Sequence, residues 1–133
     1  MTVGEGRAVT RLGSGGPWEA RYGYSRVVRA GDLAITAGCT STVDGRVVHV
    51  GDAAAQTAQA LRIGLAALAE VGAGPADVIR TRMYVTDRSH ADEVGRAHNA
   101  VFGSVHPVAT MVVVAGLIDQ EHLVEVELEA WVG

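Results

Sequence analysis

The most regular pattern in the chain is a run of apolar residues at helical spacing near its centre. The run occupies residues 53–71, and its apolar members recur every three or four positions, as in an amphipathic helix. These members are Ala58, Leu61, Leu65 and Leu68. Asp52 stands where an N-cap is needed, and Gly72 stands where helices commonly end. The pattern therefore predicts a helix over residues 53–71.

A second helical pattern begins around Ser89 and ends before Gly103. Ser89 and Asp92, three residues apart, have the spacing of a capping box at its start. One side of this helix would carry Ala91, Val94, His98, Val101 and Phe102. Because His98 lies on the apolar side, we expect it to be a hydrogen-bonded core or interface histidine.

Apolar segments with strand-like patterns predict five strands around the two helices. The strands are residues 24–30, 33–38, 78–86, 108–115 and 123–132. In the third strand, one face would carry Ile79, Thr81, Met83 and Val85. Its other face would carry Val78, Arg80, Arg82 and Tyr84, because successive side chains of a strand point to opposite faces.

Two further segments carry turn and loop signals. Asp44-Gly45 predicts a hairpin or an ordered turn between residues 40–43 and 46–50. The glycine-rich segment Gly13–Gly16 is followed by Pro17-Trp18. We expect this segment to be a loop that is not a strand-to-helix junction.

The order of these elements predicts an α/β (α+β) fold in a single domain over residues 1–133. Strand–helix–strand crossovers imply parallel strands joined by right-handed connections. Each helix has one apolar stripe, so we expect both helices to cover one face of the sheet. A chain this short has nothing left to cover the other face, which predicts oligomerisation.

Charge and composition exclude several classes of function. The formal net charge of −4 argues against a nucleic-acid partner, because such partners select basic surfaces. All eleven basic residues are arginine, so lysine Schiff-base chemistry and a Walker-type phosphate loop are excluded. No apolar stretch is long enough to span a membrane, and no secretory signal is evident at the start. The single cysteine, Cys39, forms no internal disulfide, which favours a cytoplasmic location.

The charged residues of two predicted strands repeat at every second position. Glu125, Glu127 and Glu129 would share one face of the last strand, and Arg80 and Arg82 share a face of the third strand. Neighbouring carboxylates repel one another, so cross-strand Arg–Glu pairs are the simplest explanation. The alternative is that one glutamate faces a pocket and positions or activates water.

The remaining polar and aromatic residues give weaker signals. The five histidines form no HxH or HExxH pattern, so we expect no metal site and no cofactor. No base is evident near Cys39, which favours a buried or pocket-lining thiol over a nucleophile. Trp18, Tyr22 and Tyr24 cluster before the first clear strand. They suit a ligand or interface wall, although core packing explains them equally well.

The order and spacing of many residues resemble the RidA/YjgF family over nearly the whole chain. The first of these residues are Tyr24, the segment Arg29–Gly38, Gln56-Thr57 and Leu61. The others are Val78–Asp87, Val94, Phe102, Pro107 and Val124–Glu127. The resemblance implies a chorismate-mutase-like fold, a six-stranded mixed sheet with two helices on one face. It also implies a homotrimer whose three sheets close into a central barrel, with the last strand antiparallel beside the strand of Arg80 and Arg82.

The resemblance also implies a function and a site. RidA enzymes typically hydrolyse reactive imines and enamines, such as 2-aminoacrylate, to a carbonyl and ammonia. Glu125 stands where the family has the glutamate that helps to hold the attacking water. The substrate-binding residues would be Tyr24, Cys39, Arg82, Tyr84, Ala109 and Thr110.

The chain departs from the family pattern at three positions. Ala109 stands where the family arginine binds the substrate carboxylate, Gly95 replaces an asparagine and His98 replaces a tyrosine. The resemblance therefore points to an arginine-lacking branch. We expect this protein to act on a carbonyl, imine or enamine metabolite in pockets between subunits. The alternative is a trimer that binds a metabolite or partner in the same pockets without catalysis.

Overall fold

The computed structural model describes residues 8–133. The strands are β1 (Val9–Leu12), β2 (Val27–Ala30), β3 (Leu33–Thr36), β4 (Thr42–Val43), β5 (Arg46–Val47), β6 (Val78–Val85), β7 (Val108–Val113) and β8 (Val124–Trp131). The α-helices are α1 (Pro17–Tyr22), α2 (Ala53–Glu70) and α3 (Ala91–Phe102). Short 3-10 turns precede β6 at Pro75–Asp77 and α3 at Arg88–His90. In this part of the chain, no helix combines the length and the apolar character that crossing a membrane requires.

Six of the strands form one mixed sheet in the order β1-β2-β3-β8-β6-β7. β6 and β7 are parallel and are joined through α3, whereas every other neighbouring pair in this sheet is antiparallel. The last strand, β8, lies between β3 and β6. The predicted fold class is confirmed, and β8 lies antiparallel beside the strand of Arg80 and Arg82 as expected.

The central helix α2 forms where the apolar repeat predicted it and ends one residue earlier. The Asp52 carboxylate accepts a hydrogen bond from the Ala55 N–H at 3.0 Å, which satisfies one of the free donors of the first turn. Gly72 has φ of 87°, the left-handed conformation that favours glycine after a helix. Leu61 and Leu68 are buried between α2 and the sheet, so the apolar stripe faces the core as predicted.

The start of α3 differs from the predicted capping box. The backbone leaves the extended conformation at Asp87, and the Asp87 carboxylate accepts a hydrogen bond from the Ser89 N–H at 2.8 Å. Ser89 lies inside the 3-10 turn, and α3 begins at Ala91 without a side-chain cap from His90. The Ser89–Asp92 capping box is therefore wrong, because the chain turns two residues before Ser89.

The beginning of β6 also differs from the predicted alternation. A β-bulge lies between Val78 and Arg80, and it places Val78 on the helix-covered face. Val78 is accordingly 2% exposed, whereas Ile79 is 46% exposed. From Arg80 onward the alternation is as predicted, with Thr81, Met83 and Val85 buried beneath the helices. The prediction was wrong only for the two residues at the bulge.

The other strand boundaries are shorter than the sequence indicated. β2 begins at Val27 rather than residue 24, and β7 ends at Val113 rather than residue 115. The predicted hairpin is present as β4 and β5. Asp44 and Gly45 both have positive φ, 51° and 77°, as a tight two-residue turn of the I′ type requires.

The glycine-rich segment Gly13–Gly16 is a loop, as expected, but it does join a strand to a helix. β1 precedes this loop, and α1 begins directly after it at Pro17. Proline suits the first position of a helix because its N–H would have no intrahelical partner there. The Glu19 carboxylate holds the loop by accepting hydrogen bonds from the Ser14 N–H at 2.8 Å and the Ser14 hydroxyl at 2.5 Å.

Candidate functional site

The face of the sheet opposite the helices, which residues 8–133 leave uncovered, is called the open face. It carries the charged residues of β6 and β8. The register sets Arg80 opposite Glu129, Arg82 opposite Glu127 and Tyr84 opposite Glu125. Arg82 nevertheless reaches diagonally, and its Nη1 lies 3.0 Å from Glu129 Oε1. The Nε of Arg80 lies 3.4 Å from the other oxygen of Glu129. The predicted Arg–Glu pairing is present, but Glu129 holds both arginines.

Glu127 does not take part in the arginine pairing. Its carboxylate accepts a short hydrogen bond from the Tyr84 hydroxyl. This hydrogen bond to Glu127 is the main cause that raises the pKa of Tyr84, with burial adding to it. Glu127 thus lies opposite Arg82 without forming the expected ion pair, because the Arg82 guanidinium contacts Glu129 and Glu127 accepts from the Tyr84 hydroxyl.

Glu125 lies in a small cavity of about 250 Å³ near the start of β8. The cavity is lined by Tyr84, Val114, Gly116, Leu117, Glu125 and Glu127. Neither oxygen of Glu125 accepts a hydrogen bond from any residue between 8 and 133. Since no fully buried side-chain oxygen in that range lacks a partner, these oxygens are open to water. Burial, followed by the charge of Glu127, raises the pKa of Glu125, and Arg26 opposes the rise.

The segment Gly38-Cys39, just after β3, lies against Glu125 and is held by hydrogen bonds from β8 and from Arg26. The Cys39 N–H donates to the Val126 carbonyl at 2.7 Å, and the Val126 N–H donates to the Cys39 carbonyl at 2.9 Å. Arg26 Nη1 donates to the Gly38 carbonyl at 2.5 Å. These bonds fix the backbone of Gly38 beside the start of β8.

Cys39 is buried, with its thiol in the core beneath α2 rather than on the open face. Burial is the main cause that raises the pKa of the thiol, and the neighbouring Arg26, 3.6 Å from the sulfur, only partly offsets it. A high thiol pKa leaves little thiolate at neutral pH. The preference for a buried thiol over a nucleophile fits this environment.

Arg26 is the residue of this region that the sequence reasoning missed. Besides Gly38 and Cys39, its guanidinium approaches Glu19 Oε2 at 3.5 Å and lies 6.0 Å from the centre of the Tyr24 ring. The signal in the sequence was an arginine directly before the apolar Val27-Val28 pair, where a solvent-facing cation is out of place. Only the tertiary structure shows that this position meets the end of β3.

The other predicted site residues do not meet Glu125 within one chain. Ala109 and Thr110 lie on β7 opposite Thr81 and Arg82. The residue level with Glu125 on β7 is Val112, three positions from Ala109, or roughly 10 Å along the strand. Tyr24 lies before β2 and does not line the cavity. One chain thus brings together Glu125, Tyr84 and, beside them, Arg82.

The aromatic cluster before the first clear strand lies on the surface. The rings of Trp18 and Tyr22 stack with centroids 5.5 Å apart, and both rings are at least half exposed. Core packing of these two residues is therefore wrong in the single chain. We still predict that Trp18 and Tyr22 line a ligand pocket or a subunit interface.

Two histidines have local structural partners. His98 Nε2 lies 2.8 Å from the Thr81 hydroxyl, and burial lowers the pKa of His98. His122 Nε2 lies 2.9 Å from the Thr42 hydroxyl, which ties the hairpin to the segment before β8. Among residues 8–133, no three His, Cys, Asp or Glu side chains are grouped as a metal ion would require.

Comparison with known proteins places this architecture in a family. A protein-family model described as Endoribonuclease L-PSP matches residues 17–132. An uncharacterized protein of Streptomyces coelicolor is 45% identical over 126 residues, which make up 95% of this chain and 94% of the relative.

Two crystal structures show the same architecture. One, from Mycobacterium tuberculosis, is described as a member of the highly conserved YjgF/YER057c/UK114 family. It is 46% identical, with a TM-score of 0.86 over 94% of this chain and 100% of that chain. The other, from Yersinia pestis, belongs to the conserved Rid protein family and is 22% identical, so it supports the fold alone. Its TM-score is 0.80 over 94% of this chain and 100% of that chain. On the family model and the Mycobacterium relative together, the chain belongs to the YjgF/Rid family.

Proposed function

We propose that the protein is a small-molecule enzyme that hydrolyses an imine or enamine, or acts on a related carbonyl compound, with Glu125 holding the attacking water. The observation that carries the proposal is the state of Glu125. Its carboxylate is half-buried in a cavity, is open to water and accepts no hydrogen bond from the described part of the chain. A carboxylate with these properties is a suitable general base.

The raised pKa of Glu125 supports both halves of such a reaction. As the water oxygen bonds to the imine carbon, Glu125 accepts a proton from the water. The carboxylic acid returns this proton to the nitrogen, which gives a carbinolamine. Glu125 then takes the proton of the carbinolamine hydroxyl and passes it to the nitrogen as the carbon–nitrogen bond breaks, which releases ammonia and leaves a carbonyl. A carboxyl whose pKa is nearer the working pH exchanges protons in both directions more readily.

The size and charge of the cavity restrict the ligand. A volume of about 250 Å³ lies below the roughly 300–1,000 Å³ of sites for drug-sized ligands, so a metabolite of a few heavy atoms suits it. Two of the six lining residues are Glu125 and Glu127. Together with a net charge of −4, these carboxylates argue against RNA, despite the endoribonuclease description of the family model.

The family arginine that binds the substrate carboxylate is replaced by Ala109, which favours a second candidate function. In this candidate the protein binds a metabolite or partner in the same cavity without catalysis. Ala109 cannot bind a carboxylate, and Arg82 is already paired with Glu129. For the enzyme, the same departure implies poor hydrolysis of 2-imino acids. The proposed reaction requires no cofactor. We also propose that the protein is cytoplasmic.

A homotrimer is part of the proposal. The open face of the sheet has no covering layer within residues 8–133, and β7 is an unpaired edge with Val108 60% and Val113 52% exposed. Apolar, unpaired edges favour association with further copies. Assembly would offer Tyr24, Ala109 and Thr110 a route to the Glu125 site of a neighbouring chain.

The test is the substitution Glu125→Gln, compared with Glu93→Gln as the control. Glu93 lies exposed on α3. A thermal-shift screen of oxo acids, imine precursors and enamines first identifies ligands of the native protein. We expect Glu125→Gln to keep the fold and to lose at least about a hundredfold in turnover, as removal of a general base does, while Glu93→Gln keeps the native rate. Ligand binding without turnover supports the binding protein, and equal turnover in both variants contradicts the catalytic role of Glu125.

A further inference from the structure

Gly38, two residues after the end of β3, stands where a side chain would collide with the carboxyl of Glu125. A Cβ added at Gly38 would lie 1.8 Å from Glu125 Oε2, 2.8 Å from its Cδ and 3.2 Å from its Cγ. Gly38 is not among the glycines with positive φ, so its backbone conformation is open to other residues. The space that Glu125 occupies, rather than the backbone, is what excludes a side chain here.

Hydrogen bonds restrain the backbone of Gly38 at this contact. Arg26 holds its carbonyl, and the two hydrogen bonds between Cys39 and Val126 pin the next residue to β8. The Ala37 N–H also donates to the Arg26 carbonyl at 2.9 Å. A Cβ at position 38 must therefore displace the carboxyl of Glu125, which is the flexible end of its side chain.

We propose that Gly38 is a positioning residue for Glu125, whose carboxyl keeps its place against the strand end only because position 38 has no Cβ. No hydrogen bond from residues 8–133 holds the carboxyl, so the shape of the site does. The geometric claim stands on the contacts alone. Its meaning for catalysis rests on the proposed function.

The first test follows the pKa of Glu125 by carbon NMR of labelled glutamate carboxyl groups, assigned with Glu125→Gln. In Gly38→Ala the carboxyl leaves its half-buried position, so we expect its pKa to fall towards the usual glutamate range. The control is Gly95→Ala, where the added methyl meets only Met111 Cε at 3.9 Å. Its Glu125 pKa should equal that of the native protein. A pKa in Gly38→Ala at or above the native one overturns the proposal.

The second test is a double-mutant cycle in thermal stability, which needs no substrate. Gly38→Ala should lower the melting temperature by a few degrees while Glu125 is present. In a Glu125→Ala background the colliding atoms are gone, so the same substitution should leave the melting temperature unchanged or raise it. An equal loss in both backgrounds overturns the proposal, because the collision would then not involve Glu125.

The two tests separate this inference from the proposed function. If Glu125→Gln keeps full turnover, the catalytic proposal fails, yet the pKa and the cycle still decide whether Gly38 positions the carboxyl. Where turnover is found, we expect Gly38→Ala to lower kcat with little change in KM, and Gly95→Ala to change neither. A rise in KM with an unchanged kcat contradicts the positioning role.

Discussion

At the scale of single residues, the environment decides what three similar glutamates do. Glu129 is held by two arginines, and Glu127 accepts a hydrogen bond from Tyr84. Glu125 faces a cavity and finds neither kind of partner among residues 8–133. Burial raises the pKa of Glu125. Three carboxyls at alternate positions of one strand thus become two structural groups and one reactive candidate.

The proposal that position 109 lacks a carboxylate-binding arginine gives a prediction at this scale. We expect the native protein to hydrolyse 2-imino acids poorly and Ala109→Arg to raise that activity roughly tenfold to a hundredfold. A charge-assisted contact with a carboxylate contributes about 1.5–3 kcal/mol, which corresponds to that range. The measurement is the rate of ammonia release from an imino acid generated in the assay.

Ala109→Met is the matched control, because it adds bulk at the same edge position without charge. The assembly state of each variant is measured in parallel, since an unpaired buried charge could disturb an interface. Rapid 2-imino acid hydrolysis by the native protein would contradict the prediction and show that another group binds the carboxylate.

At the scale of elements, the pairing of β6 with β8 carries the polar network of the open face. Arg80, Arg82 and Glu129 form one charged cluster, while Tyr84 and Glu127 form a separate hydrogen bond next to the cavity. The two arginine side chains are about two-fifths exposed, so solvent screens their attraction to Glu129. The cluster therefore stabilises the strand pair only modestly.

Substitution of the two glutamates distinguishes these groups. Glu129→Gln should lower the free energy of unfolding by about 0.5–1 kcal/mol, because two arginines lose their counter-charge. Glu127→Gln should cost less, because the amide oxygen still accepts the Tyr84 hydrogen bond. Thermal melts at low and high salt provide the measurement, and salt should reduce only the Glu129 effect. A larger loss from Glu127→Gln would show that Glu127 is the ionic partner.

At the scale of the whole molecule, residues 8–133 cover one face of the sheet and leave the other open. α2 packs on β3 and β8, and α3 packs against α2, so the helices seal the apolar core on their side. The open face presents the charged network, the cavity of Glu125 and the exposed edge of β7. The strand register separates Ala109 from Glu125 within one chain, so the proposal depends on assembly to bring the two positions together.

The whole-molecule prediction is a trimer in solution. Light scattering coupled to gel filtration should give about three times the 13.8 kDa mass of one chain. Val112→Asp places a charge on the open face of β7 and should shift the protein towards smaller species. Arg62→Glu, on the exposed side of α2, should leave the mass unchanged. A stable monomer of the native protein at micromolar concentration would contradict the trimer.

The sequence by itself determined most of the fold, because local patterns decide local structure. The apolar repeat and Asp52 located α2, Asp44-Gly45 located the hairpin, and alternation located β6 and β8. The sequence pattern did not predict the bulge at Val78 or the cap at Asp87. Both depend on where the chain bends, and the spacing of apolar residues does not encode that.

The candidate site was only half accessible from sequence. Family resemblance pointed to Glu125, but nothing in the periodicity distinguished it from Glu127 or Glu129. The tertiary structure decided that Arg82 turns to Glu129, and that Arg26 meets the end of β3. It also decided that Gly38 makes room for the carboxyl of Glu125. These contacts join positions far apart in the chain, and their distances arise only when separate elements pack together.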